Sequence, residues 1–196
     1  PVMANEFYAF LGRMRYITRW GLMRNTFSEN LQEHSHQVAI LAHALALIRR
    51  EILHLPGPDP EQCAVAALYH DAAEILTGDL PTPIKYYSPE LRQAYRTVED
   101  AAGEKLLSML PPALRERYRD YVLEQNEAVN PIVKAADKLA AYIKCLEELK
   151  AGNQEFSTAS AQTLAALEAA QREEVAWFLE NCLEPFTRNL DQLEKP

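Results

Sequence analysis

One stretch sets the terms for the whole chain. Cys63, Ala66, Ala67, His70, Asp71 and Glu74 recur at intervals of three, one, three, one and three residues, the period of one helical face. The first three are apolar, and the stripe then becomes His, Asp and Glu without leaving that face. A buried imidazole or carboxylate is costly unless it is paired or holds a metal. A helix with this pattern therefore folds only where other elements bring partners to it. His70 and Asp71 offer one nitrogen and one oxygen from a single turn, a combination that suits a first-row divalent metal. Glu74, one turn beyond His70, is within reach of a metal-bound water. Taken alone, a His-Asp dipeptide followed by Ala-Ala-Glu is more often a solvated helix face, so the weight falls on what the rest of the chain supplies.

At 196 residues the chain fits one domain, expected to span residues 1–196. Glycine is scarce, with six residues, and Ala, Leu and Glu are abundant, which favours helix over sheet. No run approaches the roughly twenty apolar residues that span a bilayer, so no membrane association is expected. The N-terminal region lacks the basic-then-apolar pattern of a leader. Cys63, Cys145 and Cys182 are odd in number and far apart, so they make neither a disulfide framework nor a metal knuckle. Reduced cysteines and a cytoplasmic location are expected. The net charge of −8 argues against a nucleic-acid polymer as partner, since such binding needs a basic surface.

Phe7, Phe10, Leu11, Met14 and Ile17 predict an amphipathic helix over residues 5–17, with Asn5 as its cap. It runs into a loop carrying Trp20 and a basic cluster of Arg15, Arg19 and Arg24. Arginine presents a planar fork that grips phosphate through two parallel hydrogen bonds; a surface arginine beside a core tryptophan is the plainer reading. A second helix runs to about residue 50, with Leu31, His34, Val38, Leu41, Leu45 and Ile48 on its buried face. His34 thus sits on the apolar stripe, while His36 and His43 fall off it and His54 lies in a Pro-rich loop. The central helix begins at Asp59-Pro60 and is expected to end at Thr77-Gly78. The turn Asp79-Leu80-Pro81-Thr82-Pro83 follows and places Asp79 and Thr82 near His70 and Asp71, with Lys85 close behind. Gly-Asp is also ordinary turn chemistry. Helices over residues 89–110 and 112–125 show no chemistry. A helix capped by Asn130 carries Val133, Ala136, Asp137, Ala140, Ala141, Lys144 and Cys145 inward, and a last helix covers residues 157–182. The expected fold is all-α, a compact single-domain helical bundle.

His34, His70, Asp71 and Asp137 thus come from three helices and share one oddity, an ionisable side chain on a buried face. Two imidazoles and two carboxylates leave coordination positions open for water and substrate. With a divalent metal the set is close to neutral, which suits transient binding of an anion.

The order and setting of these four residues resemble the HD-domain metal-dependent phosphohydrolases. The resemblance goes further, through Arg19-Trp20, Leu22-Met23-Arg24-Asn25, Glu33-His34-Ser35, Tyr69-His70-Asp71-Ala72-Ala73-Glu74, Leu76-Thr77-Gly78-Asp79-Leu80-Pro81-Thr82-Pro83, Lys134-Ala135-Ala136-Asp137 and Lys144-Cys145-Leu146-Glu147-Glu148-Leu149. Together these look like the bacterial 5′-deoxynucleotidase family. That resemblance implies an HD-domain helical bundle working as a homodimer. It would hydrolyse deoxyribonucleoside 5′-monophosphates to deoxynucleosides and phosphate and select against ribonucleotides. It implies one divalent metal, Co or Mn, with Zn or Fe as alternatives, held by His34, His70, Asp71 and Asp137. Arg19 would orient the phosphate with Asp71 beside it, Trp20 would crowd a 2′-hydroxyl, and Asp79, Leu80, Pro81 and Thr82 would line the sugar side. Glu74 would handle protons. The alternatives are another HD phosphohydrolase, acting on a cyclic nucleotide or a nucleoside triphosphate, and a non-catalytic helical interaction domain.

Overall fold

Asp59 and Pro60 start the central helix as their chemistry dictates: the Asp59 carboxylate accepts from the amides of Glu61 and Gln62, and Pro60 occupies the first turn. The computed structural model describes residues 5–85 and 87–193. Its helices in chain order are α1 (Phe7–Leu11), α2 (Leu31–Leu47), α3 (Pro60–Tyr69), α4 (Glu74–Thr77), α5 (Thr82–Lys85), α6 (Pro89–Ser108), α7 (Pro112–Val122), α8 (Asn130–Lys150), α9 (Ser157–Ala169), α10 (Glu173–Asn181) and α11 (Leu190–Leu193). The one β-type pairing among the described residues is a single antiparallel bridge, Thr18 to Asn30.

α2 packs mainly on α3 and α8, and this trio holds the larger core, including Val38, Leu45, Cys63, Ala67, Ile132, Ala136 and Leu139. α10 closes it with Val175 and Phe178. A smaller core gathers Phe7, Leu106, Leu107, Leu110 and Val122 around Ala72. Gly103 permits the close approach of α6 to the end of α7, since a Cβ there would lie 2.6 Å from a Leu123 methyl. Ala72 belongs to the smaller core, while Ala66 and Ala67, a turn earlier, belong to the larger. The His70-Asp71 segment therefore lies at the seam between the two.

The α2 face is buried as its pattern predicts, from Leu31 and His34 to Ile48. A capping box starts it: Asn30 accepts from the Glu33 amide, and the Glu33 carboxylate accepts from the Asn30 amide. Its end widens into a π-turn over Ile48–Ile52.

Several boundaries differ from the sequence reading. The first helix is α-helical only to Leu11 and continues as a 3₁₀ turn, Gly12–Tyr16. α3 stops at Tyr69 rather than running to Thr77. From Ala72 to Leu76 the backbone bonds span three residues, as in Ala72 to Tyr69 and Glu74 to Asp71. Asn130 is the first residue of α8 rather than its cap, and Asn126 caps the turn by accepting from Ala128 and Val129. The last predicted helix is two, α9 and α10, broken where Gln171 takes φ 48°.

Candidate metal centre and nucleotide pocket

Three elements converge at the seam: the first turn of α2 brings His34, the turn after α3 brings His70 and Asp71, and α8 brings Asp137. His34 Nε2 lies 2.9 Å from Asp137 Oδ1 and 3.7 Å from Asp71 Oδ2. His70 Nε2 lies 3.0 Å from Asp71 Oδ2 and 4.0 Å from Asp137 Oδ1. Ligand atoms held about 2.1 Å from one metal stand roughly 3 to 4 Å apart, the range seen here. His34, His70 and Asp137 each offer a ligand atom within 4.8 Å of the others.

The broken helix explains the orientation of His70. Its Nδ1 stands 2.7 Å from the Ala67 carbonyl. A carbonyl only accepts, so Nδ1 carries a proton, which leaves Nε2 as the nitrogen that would take either a second proton or a metal. That buried Nε2 has no hydrogen-bond partner, although a carboxylate oxygen sits beside it. At that distance the nitrogen and the carboxylate oxygen share a positive charge, either a proton on Nε2 or a metal ion in its place. Burial pulls the His70 imidazolium down, yet Asp71 and Asp137 outweigh it and push its pKa up to about 10. Burial likewise raises Asp71 and Asp137, but His70 on the first and His34 on the second hold both carboxyls below their ordinary values. The residues present fit a divalent metal.

Beside this set lies Arg19, whose Nη1 is 3.7 Å from Asp71 Oδ2. Its Nε donates to Glu29 Oε2 at 3.1 Å, and the same oxygen accepts the Trp20 indole N–H at 3.1 Å. Trp20 takes φ 58° and packs against Phe156. The predicted basic cluster does not form. Arg15 turns back to the Gly12 carbonyl, and Arg24 is exposed with Glu155 as its partner, leaving Arg19 alone at the site.

Glu74 is buried at the start of α4, and its Oε2 has no partner. Burial first, then Asp71 and Asp79, push its pKa up to about 9, so it is a neutral acid at pH 7. Lys85 Nζ lies 3.9 Å from Glu74 Oε1 and bonds Glu99 at 2.8 Å. Asp79, following Gly78 at φ 78°, is raised by burial against the pull of Arg19. Leu80 and Pro81 are half-buried in the same turn. Thr82 opens α5, and its side chain lies outside the described part of the structure.

Sequence reasoning saw no chemistry over residues 89–110 and 112–125, yet α6 and the turn just past α7 both contribute to the site. Tyr95 donates to the Gly78 carbonyl and Glu99 holds Lys85, so α6 braces the turn that carries Asp79. Glu124, just past α7 and at φ 49°, shares the electrostatic field of His70, Asp71 and Asp137. Its positive φ carries no local sequence signal. Glu29 was also passed over, as a polar approach to α2.

The architecture is that of the HD-domain phosphohydrolases. The fold matches one such protein from Listeria innocua with a TM-score of 0.79 at 23% identity, covering 92% of this chain and 88% of that one. It also matches a cyanophage S-2L HD phosphohydrolase, solved with dA and one catalytic Zn²⁺, with a TM-score of 0.61 at 22% identity, covering 90% and 95%. Sequence is more specific than fold. Residues 6–186 match the profile described as 5′-deoxynucleotidase YfbR-like. A 5′-deoxynucleotidase from Vibrio vulnificus is 47% identical over 193 residues, covering 96% of this chain and 98% of the relative. The chain belongs to the YfbR-like 5′-deoxynucleotidase family, and it is an enzyme, a hydrolase. The non-catalytic helical module is thereby set aside.

Proposed function

We propose that this enzyme hydrolyses deoxyribonucleoside 5′-monophosphates to deoxynucleosides and phosphate, and disfavours ribonucleotides. The observation that carries the reading is the buried, unpartnered Nε2 of His70, aimed at Asp71 in a set completed by His34 and Asp137. These four residues would hold one divalent ion, Mn or Co, with Zn or Fe as alternatives.

Phosphate monoester hydrolysis requires the barrier to fall by more than about 20 kcal/mol. A bound divalent ion supplies a lowered water pKa and a polarised phosphoryl oxygen. The chain's own residues supply the rest. Arg19, with Nε engaged by Glu29, presents Nη1 toward Asp71 and so would meet a phosphate seated there. Glu74, whose carboxyl burial pushes up, would exchange a proton with the attacking water or the leaving 5′-oxygen. Trp20, pinned by Glu29 and Phe156, narrows the pocket where a 2′-hydroxyl would lie. Asp79, Leu80 and Pro81, with the backbone of Thr82, would form the sugar wall.

Three free cysteines, and no helix among the described residues long and apolar enough to cross a membrane, support a cytoplasmic enzyme. The proposal includes one catalytic domain over residues 1–196 and a homodimer, testable by a single cooperative melt and by light scattering. The central experiment compares phosphate release from dAMP and AMP on metal-stripped protein resupplied with Mn²⁺ or Co²⁺. Metal-dependent release from dAMP, with AMP much slower, is expected. Release without metal would sink the ligand set, equal release would sink the sugar selectivity, and no release would point to cyclic nucleotides or triphosphates.

A further inference from the structure

The geometry points to Glu29 as the positioning residue that couples phosphate orientation to sugar discrimination, because one of its carboxylate oxygens holds both Arg19 and Trp20. This rests on the reading of Arg19 and Trp20 given above. Glu29 Oε2 accepts from Arg19 Nε at 3.1 Å and from Trp20 Nε1 at 3.1 Å. The Glu29 and Arg19 side chains are each only 14% exposed, so water competes little for these bonds. The backbone adds a third tie, from the Arg19 amide to the Glu29 carbonyl at 2.9 Å.

Both residues need that hold. Arg19 stands in a field of carboxylates, with Asp137, Asp71 and Asp79 all drawing on its charge. Its Nη1 is already 3.7 Å from Asp71 Oδ2. Freed at Nε, the guanidinium would fold onto those carboxylates and be lost to the substrate. Glu29 engages the inner edge and leaves the outer fork available. Trp20 sits at φ 58°, a conformation that an aromatic residue keeps only where contacts enforce it. Its enforcing contacts are the indole bond to Glu29, the Phe156 ring, and the bond from the Met23 amide to its carbonyl.

Glu29 also stands in register with the metal centre. Asn30 follows it, pairs with Thr18, and caps α2; His34 lies on the first turn of that helix. Through Glu29, the loop that reads the substrate is indexed to the helix that supplies a metal ligand. No other described residue bonds both Arg19 and Trp20 through its side chain.

The test measures kcat/KM for dAMP and for AMP in wild type, Glu29→Ala and Glu29→Gln. Mn²⁺ affinity and Trp20 fluorescence, the latter in a Trp177→Phe background, complete the measurement. Glu29→Ala should lower kcat/KM for dAMP by about a hundredfold and shrink the dAMP:AMP ratio by about tenfold or more. Mn²⁺ affinity should hold and the Trp20 emission should shift to the red. Glu29→Gln keeps an acceptor oxygen and should restore most of the ratio and the emission. It also keeps the inference testable if the alanine variant does not fold. Equal losses for both nucleotides with the ratio intact would overturn the inference, because a merely structural role predicts that. If wild type itself shows no preference for dAMP, the sugar reading fails instead. Unchanged Trp20 emission in both variants would then overturn the role of Glu29 independently.

Discussion

Helix α8 contributes to two clusters of charge, one at half-exposed Asp137 and one at buried Lys144 and Glu148, and they are built on opposite rules. At Lys144 and Glu148 every polar atom is engaged. Lys144 bonds Glu148 and the Phe27 carbonyl, and Glu148 also accepts from the Thr26 amide and hydroxyl and from Asn153. At Asp137 the surrounding groups are left open: His34 Nδ1, His70 Nε2 and Glu74 Oε2 are buried without hydrogen-bond partners. Both clusters look alike in a list of buried ionisable residues. Saturation separates them. A closed network fixes a loop to a helix, whereas an open one has capacity for something the chain does not contain.

The largest effect should come from removing an open ligand. His70→Ala should abolish stoichiometric metal binding, read by titration, and lower kcat/KM for dAMP by at least about a thousandfold. Helical content should persist, because α3 ends at Tyr69 and its core residues Cys63, Ala66 and Ala67 are untouched. Retained metal and activity would erase the distinction between the clusters.

Glu74→Gln should lower kcat by about a hundredfold or more, the usual reach of a positioned general acid. Its effect on stability has the opposite sign. Glu74 has a folded pKa of about 9 against an ordinary value of 4.5. Its stabilising contribution is therefore present below about 4.5 and lost as pH rises toward 9. The metal-free glutamine variant should melt above wild type at pH 8, with the gap closing toward pH 5. A gap that widens on acidification would contradict the assignment.

The two clusters differed in legibility as well. Inward placement was readable in both: His34, His70 and Lys144 fall on apolar faces and are covered, whereas Asp137, on the same kind of face, keeps its side chain 40% exposed. Partnership was not readable. Glu148 meets Thr26, and His34 meets Asp137, across more than a hundred residues of chain. The helix stop at Tyr69 was invisible because Ala72 and Ala73 are strong helix formers, and the three-residue bonds that replace the helix there leave no local sequence signal. Glu29 gave no signal because it neighbours Asn30, whose capping chemistry explains a polar stretch without it. The family resemblance supplied the substrate class, which the local pattern left open.

The saturated cluster should respond in stability rather than in chemistry. Burial raises Glu148, but Lys144, Asn153 and Thr26 outweigh it and hold its pKa down to about 2. The contribution is therefore fully present above about 4.5 and lost as pH falls toward 2. Glu148→Gln should cost about 3 kcal/mol of unfolding free energy at pH 7, shrinking on acidification below pH 4, with metal affinity unchanged. A loss that does not change with pH would assign the cost to shape rather than charge.

The smallest effect tests whether saturation also brings redundancy. Fully buried Glu174 bonds two arginines: Arg49 at 3.0 Å, which fastens α10 to the end of α2, and Arg172 at the head of α10 itself, which donates from Nε at 2.6 Å. Arg49 has a second anchor in the Pro56 carbonyl, so it stays in place if either contact fails. Arg172→Ala therefore leaves Glu174 paired, and should cost about 1 kcal/mol rather than the several expected for a stranded buried charge. Arg49 and His34 are separated by about 22 Å of helix, far beyond the reach of a screened charge. The ratio of dAMP to AMP turnover should accordingly be identical to wild type. A changed ratio would mean that α2 transmits strain from its closed end to its open one, and the two kinds of buried charge would then be parts of one device.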